Sequence, residues 1–437
     1  AVWGANALTG VVNVVTKSPR ETRGTTNVTL SAGLFDRNAG SLKGSGNGVL
    51  YGANASTSQV VNDTWSYRVS AGYFNSDPFA RPIGQIPVII DPRDPSETAT
   101  VGGAFYPADA PGQLGTSFQN QGTSQPKFDA RVDQELQRGR ISYSGGVAGT
   151  DGTIHTGIGP FDIQPGSVMS YGRVLYTRDV LRLSAFANVV SAQAPNLLVP
   201  DPRTGGPLQL DFKTQTYDIE VGHSASIGGR HALNYGGNYR RNNFDITLAP
   251  PAPNRNEIGA FVQDEIFLDR FRFSIGARLD KFGNIETPVF SPRLTAMYQP
   301  TADQSLRVSF NRAFRSPSTI NNYIDIALAS PIDLSGLAPL LPPPLDPLVA
   351  DPFPLVVRVV GSEIPIENVV REPLTRESLT AYEVAYTGTF QRTTVGAAFY
   401  VNDMNDSITF TPLPTNLDPY TPANPPPRLN FGNRSPG

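Results

Sequence analysis

Phe271-Arg272-Phe273-Ser274-Ile275-Gly276-Ala277-Arg278-Leu279-Asp280 decides the fold class. Phe271, Phe273, Ile275, Ala277 and Leu279 point one way from an extended backbone. Arg272, Ser274, Gly276, Arg278 and Asp280 point the other. A helix would mix these residues on every face, so the stretch is a β-strand. By itself it fits two environments. In a soluble sandwich the apolar side is core and the charged side meets water. In a membrane barrel the apolar side meets lipid and the charged side lines a lumen.

The period recurs along the chain. Trp65, Tyr67, Val69, Ala71 and Tyr73 alternate with Ser66, Arg68, Ser70 and Gly72. Phe290, Leu294, Ala296 and Tyr298 alternate with Ser291, Arg293 and Thr295. Tyr217, Ile219 and Val221, and later Val395, Ala397, Phe399 and Val401, repeat it. Counting this way predicts about fifteen strands and the start of another at Leu429. Many reach the 9–11 residues or so that a tilted strand needs to cross a bilayer. The connectors alternate in length. Tight turns are predicted at Val61-Asn62-Asp63, Gln137-Arg138-Gly139, Arg178-Asp179, Gly228-Gly229, Asp269-Arg270, Thr301-Ala302-Asp303 and Gln391-Arg392. Between them lie longer Pro- and Gly-rich segments, Asn75–Ser124, Thr150–Gly166, Ala192–Leu210, Thr247–Asn254, Arg315–Arg376 and Asn402–Arg428. Short turns at one end and long loops at the other are the pattern of an outer-membrane barrel.

Composition narrows the alternatives. The 437 residues carry a net charge of −3, which gives no electrostatic case for a nucleic-acid partner. There is no Cys, which excludes a disulfide scaffold and a Cys-based metal site. No run of about 18 apolar residues exists, so no transmembrane helix is expected. His155, His223 and His231 lack metal-ligand spacing, and no Gly-x-Ser-x-Gly elbow occurs. Asp264 and Glu265 are adjacent in a strand and so face opposite ways, which argues against a shared acid–base site. The sequence therefore predicts no enzyme, no cofactor and no metal. Leu340-Leu341-Pro342-Pro343-Pro344-Leu345 is expected to stay out of any ladder, because Pro donates no hydrogen bond.

The first segment reads Trp3-Gly4-Ala5-Asn6-Ala7-Leu8-Thr9-Gly10-Val11-Val12-Asn13-Val14-Val15-Thr16-Lys17. It resembles the end of the plug domain of TonB-dependent outer-membrane receptors, with Trp3 where Tyr is usual and Thr9 replacing the first Gly of a pair. Ile258-Gly259-Ala260-Phe261-Val262-Gln263-Asp264-Glu265 resembles a barrel strand of that family. Val308-Ser309-Phe310-Asn311-Arg312-Ala313-Phe314-Arg315-Ser316-Pro317 resembles its Phe-Arg-x-Pro strand, and Tyr382-Glu383-Val384-Ala385 its Tyr-Glu-x-Gly strand. Order and spacing make the set specific.

The resemblance implies an all-β fold. It is a partial transmembrane antiparallel β-barrel, about 15–16 of roughly 22 strands, with the C-terminal remnant of a plug. Residues 1–19 would end the plug, 20–437 would be barrel, and 319–376 a long Pro-rich extracellular loop. Gly4, Gly10, Asn13 and Lys17 would form the plug–barrel hinge. Arg272, Arg278, Asp280, Arg293, Arg307 and Glu383 face the lumen by alternation, and some of them would hold the plug. The implied activity is TonB-dependent uptake of a scarce nutrient across a Gram-negative outer membrane. A ferric siderophore is the first expectation, with cobalamin, a glycan or another metal chelate open. The implied partners are the TonB–ExbB–ExbD complex, an extracellular metal chelate and outer-membrane lipid. The chain opens in mid-motif and closes on Asn433-Arg434-Ser435-Pro436-Gly437. A signal peptide, most of a plug and further strands are therefore expected outside it, and the box that recruits TonB is absent from it. A passive porin and a secreted β-sandwich adhesin are the rival readings. A porin has no plug, and an adhesin would dissolve without detergent.

Overall fold

A computed structural model describes residues 15–37, 46–79, 88–91, 94–99, 120–156, 159–200, 207–332, 353–366, 372–412 and 428–434. The first elements are β1 (Thr26–Asp36), β2 (Asn47–Val60), β3 (Trp65–Ser76), β4 (Val88–Asp91), β5 (Asp94–Ala99), β6 (Thr123–Glu135), β7 (Arg140–Gly149), β8 (Gly152–Thr156) and β9 (Gly159–Ile163). Then come β10 (Val168–Arg178), β11 (Leu181–Gln193), β12 (Asn196–Pro200), β13 (Pro207–Leu208), β14 (Asp211–Ile227), β15 (His231–Ile246), β16 (Arg255–Leu268) and β17 (Phe271–Phe282). The remainder is β18 (Val289–Thr301), β19 (Gln304–Arg315), α1 (Thr319–Tyr323), β20 (Asp325–Ile332), β21 (Phe353–Val360), β22 (Glu377–Phe390), β23 (Thr393–Asn405), β24 (Ser407–Pro412) and β25 (Arg428–Arg434).

Fifteen strands form one antiparallel sheet in the order β1-β2-β3-β6-β7-β10-β11-β14-β15-β16-β17-β18-β19-β22-β23. Within the sheet each strand pairs with the one that precedes it there in chain order, the mark of an up-and-down meander. Among the described residues β1 and β23 pair on one side only, so the sheet is not closed. The short connectors fall at one end, at residues 61–64, 136–139, 179–180, 228–230, 269–270, 302–303 and 391–392. Their tightness needs left-handed backbone: Gly228 and Gly229 have φ of 57° and 65°, and Asp179, Asp269 and Gln391 have 49°, 50° and 54°. Leu429 is the second residue of β25, which joins β24 and β21 in a small separate sheet instead of extending the large one.

Three prolines sit inside the large sheet without breaking it, Pro300 falling in the register shift between β18 and β19. Pro126 pairs with Tyr73 on one side, and the ladder to β7 starts only at Lys127. Pro292 pairs with Ala277, and the ladder to β19 starts at Arg293. Each stands where one flank has no N–H to supply.

The apolar face of this sheet is bare. Leu30, Ile219, Ile275, Leu279 and Phe399 are 77%, 64%, 51%, 51% and 72% exposed. A soluble sandwich would have buried them. The clusters of buried apolar residues lie at the long-connector end. Phe161, Ala194, Leu210, Ile246, Leu248, Ile324, Ile326 and Val359 form the largest, and Phe282, Ile285, Val289 and Phe314 the second. Connectors fold there into a cap. β13-β12-β9-β8 form one small sheet and β20-β21-β25-β24 another. The segment 319–376 is thus more structured than its prolines imply. α1, β20 and β21 occupy it, while the Leu340–Leu345 stretch lies outside the described residues. α1 starts with a capping box, in which Ser318 accepts from the Asn321 backbone N–H and the Asn321 side chain accepts from the Ser318 N–H.

Candidate functional site

The polar face is built by Arg-x-Asp and Arg-x-Glu pairs, whose spacing of two places both partners on one side of a strand. Arg131 reaches Asp133 at 2.7 Å, Arg255 reaches Glu257 at 2.8 Å, and Arg278 Nε lies 2.9 Å from both oxygens of Asp280. Asp133 and Asp280 are buried. Cross-strand pairs add Arg140–Glu135 at 2.6 Å, Arg240–Asp218 at 3.0 Å, Arg272–Glu265, Arg307–Glu383 and Arg315–Glu377.

One network crosses several strands. Arg278 Nη2 donates to Asn238 Oδ1 at 2.7 Å, and Asn238 Nδ2 donates to Asp218 Oδ2 at 3.1 Å. Arg240 donates to the same Asp218 oxygen and lies 5.7 Å over the Phe186 ring. The contact between β17 and β15 must pass over β16. It does so at Gly259, the register partner of both Asn238 and Asp280. A Cβ there would meet Arg278 Nη2 at 2.2 Å and Asp280 Oδ1 at 2.4 Å. The glycine is the gap through which the guanidinium reaches.

Register places all six residues singled out from the sequence on this polar face. Arg272, Arg278 and Asp280 share a parity on β17, and Arg293 pairs with Gly276 of that set. Arg307 pairs with Met297, two residues beyond Thr295, and Glu383 pairs with Ser309. They do not form one cluster: Arg272, Arg307 and Arg278 each take a separate carboxylate. Arg293 Nε is buried without a hydrogen-bond partner among the described residues. Gly4, Gly10 and Asn13 lie outside the described residues, and Lys17 is exposed. Asp264 and Glu265 face opposite ways: Asp264 bonds His231 at 2.7 Å on the apolar side, and Glu265 meets Arg272 on the other. His155 meets Asn120, and His223 lies 5.3 Å from the Tyr235 ring.

The segment before β1 enters from the polar face at the short-turn end. Thr16 Oγ1 accepts from Arg131 at 3.3 Å. Ser18 is buried, and Arg20 donates to the Asn62 carbonyl at 3.0 Å and lies 3.4 Å from Glu135. The Gly24 N–H then joins the Ser58 carbonyl. At the opposite end, burial in the cap raises the Asp162 carboxyl above the ordinary range, Gln164 opposes the rise by donating to it at 2.8 Å, and the charge of Asp151 adds to it.

The family model described as TonB dependent receptor-like, beta-barrel matches residues 12–435. The chain belongs to the TonB-dependent receptor family. The siderophore receptor PirA from Pseudomonas aeruginosa is similar over 100% of this chain and 65% of its own, at 14% identity and a TM-score of 0.64. A mutant ferric enterobactin receptor, PfeA, from the same organism matches over 100% and 61%, at 14% and 0.66. The FrpB iron transporter from Neisseria meningitidis matches over 96% and 59%, at 13% and 0.56. This chain therefore spans about two thirds or less of each of these proteins. No curated protein matches it by sequence.

The barrel is an outer-membrane one, so the bare apolar face is the lipid face and the polar face is the lumen wall. The family is one of receptors and transporters rather than enzymes. Sequence reading missed Gly259, Asn238, Asp218 and Arg240. Alternation assigns each to a face, but only register shows that they meet. The Arg131-x-Asp133, Arg255-x-Glu257 and Arg278-x-Asp280 spacing was a legible sign of wall ion pairs.

Proposed function

We propose that this barrel belongs to a receptor that imports a scarce nutrient, by first choice a ferric siderophore, using energy delivered by TonB–ExbB–ExbD. The observation that carries the reading is the entry of residues 15–25 along the lumen wall, against Arg131, Asn62 and Glu135. A passive porin has no use for a strap entering its lumen; a plugged barrel needs one. The extracellular cap supplies a second element of the reading, a packed roof over the ligand's entrance. Similar proteins bear names of that kind, a siderophore receptor, a ferric enterobactin receptor and an iron transporter.

In the proposed cycle the chelate binds between cap, plug and wall, and TonB then displaces the plug so that the ligand passes down the lumen. The wall's paired arginines and carboxylates offer the plug polar contacts that exchange for water at low cost, since exposed ion pairs contribute about 0–1 kcal/mol each. Deleting the gene and growing the cells on single ferric chelates under iron limitation tests the proposal. Loss of growth on one chelate, restored by the gene only where TonB is functional, is the expected result. Restoration without TonB points to a passive pore instead.

A further inference from the structure

The lumen wall is not uniformly compensated. Eight of its arginines each meet one carboxylate: Arg131, Arg140, Arg240, Arg255, Arg272, Arg278, Arg307 and Arg315. Arg68, Lys127, Arg173, Arg182 and, apart from them on β18, Arg293 have no carboxylate within ion-pair distance among the described residues. The first four project from β3, β6, β10 and β11, one side of the lumen. The carboxylates left on or beside that wall are Asp129, which accepts from the Tyr171 hydroxyl, and Glu220, which attracts Arg173.

The cations are also ordered. Arg68 is the direct cross-strand partner of Arg131, Arg131 of Ser144, and Ser144 of Arg173. The same row continues through Phe186 and Asp218 to Arg240. It runs from near the short-turn end of β3 up to the body of β15. Arg131 and Arg182 both lie close enough to repel Arg173. Like charges set directly opposite one another destabilise a sheet. Asp133 offsets Arg131, which leaves the charge of Arg68 and Arg173 open to an anion. Residues 1–17 contain no Asp or Glu. Thr16 already occupies Arg131 with a hydroxyl.

We propose that Arg68, Arg173 and Arg182, flanked by Lys127, form an anion track on the lumen wall that conducts a negatively charged metal chelate to the periplasmic mouth. The inference rests on the receptor reading and adds the charge class of its substrate. Guanidiniums suit this task because they present planar forks to carboxylate, catecholate or phosphate oxygens and stay charged at every relevant pH. Spaced over neighbouring strands, with Arg182 four residues from the row at Phe186, they hand the anion on without holding it in one deep site.

The test uses the full-length receptor in cells lacking the chromosomal gene. Surface binding and uptake of iron-55 are compared for an anionic ferric tris-catecholate, anionic ferric citrate and a neutral ferric tris-hydroxamate. Gene-dependent uptake of an anionic chelate is expected. The triple variant Arg68→Gln, Arg173→Gln, Arg182→Gln should lower that uptake about tenfold and leave surface binding within about twofold. The triple Arg→Lys variant should keep most of it, which separates lost charge from misfolding. Uptake confined to the neutral chelate overturns the track and leaves the receptor reading standing. Absence of gene-dependent uptake of every chelate removes both. Unchanged uptake in the glutamine variant overturns the track. So does vancomycin entry in that variant, because the cluster would then be holding the plug.

Discussion

Gly259 shows how much one missing side chain can decide. Its Cβ-free surface lets Arg278 on β17 reach Asn238 on β15, so a buried ion pair ties together strands that are not neighbours. Gly259→Val would press on the tips of Arg278 and Asp280 rather than on backbone. The barrel should therefore still fold, without the link. The expected loss is about 1–3 kcal/mol, the worth of a hydrogen bond to a charged group. It is read as a lower urea midpoint for the barrel folded in lipid vesicles. An unchanged midpoint means the network does not brace the wall. Asp280→Asn goes further, because it leaves Arg278 buried without its charge partner, and should cost about 3–5 kcal/mol. At this scale alternation and spacing make the Arg278–Asp280 pair legible, but not the reach of Arg278 to Asn238. Period two names a side, whereas register selects the neighbour.

Strands were the most legible elements, because alternation over ten or more residues leaves little room for another structure. The predicted turns fall at or within a residue of the observed connectors for the same physical reason: they interrupt that alternation with Gly, Asp, Asn or Arg. The Leu429 strand shows the limit. Its pattern is extended, and nothing local says which sheet it will join; it pairs in the cap. The turns invite one test. Gln391 holds φ of 54°, a conformation that costs a residue with a Cβ about 1–2 kcal/mol. Gln391→Gly should therefore stabilise the β22–β23 hairpin by up to about 1 kcal/mol after its own entropic cost; a lower urea midpoint for the variant would contradict that backbone account. The two faces of β18 invite another. Leu294 and Thr295 are adjacent and point apart. Leu294→Arg should cost about 2–4 kcal/mol in a bilayer, and Thr295→Arg, facing water, much less. Equal penalties at both positions would mean that lipid does not wet the Leu294 face.

At the scale of the molecule, two apolar surfaces obey opposite rules. Along the barrel, large apolar side chains face outward and stay exposed; in the cap they turn inward and pack. The cap was illegible in the sequence because its core comes from scattered residues, Phe161, Leu210, Leu248, Ile324 and Val359, supplied by four different connectors. The proline content of 319–376 pointed to an open loop, yet prolines leave the flanking segments free to pair. Ile324 lies at the junction of α1 and β20, is 1% exposed, and sits in the cluster joining these connectors. Ile324→Ala removes buried methyl and methylene groups and should cost the cap about 2–5 kcal/mol. The barrel should not share that loss, since its ladders and lipid-facing side chains do not depend on the cap core. On intact cells the variant's cap should be cut faster by added protease, while the barrel's slow-migrating, heat-sensitive band on gels is unchanged. Simultaneous loss of both would mean that cap and barrel fold as one unit, and the roof would then transmit strain to the wall instead of closing over it.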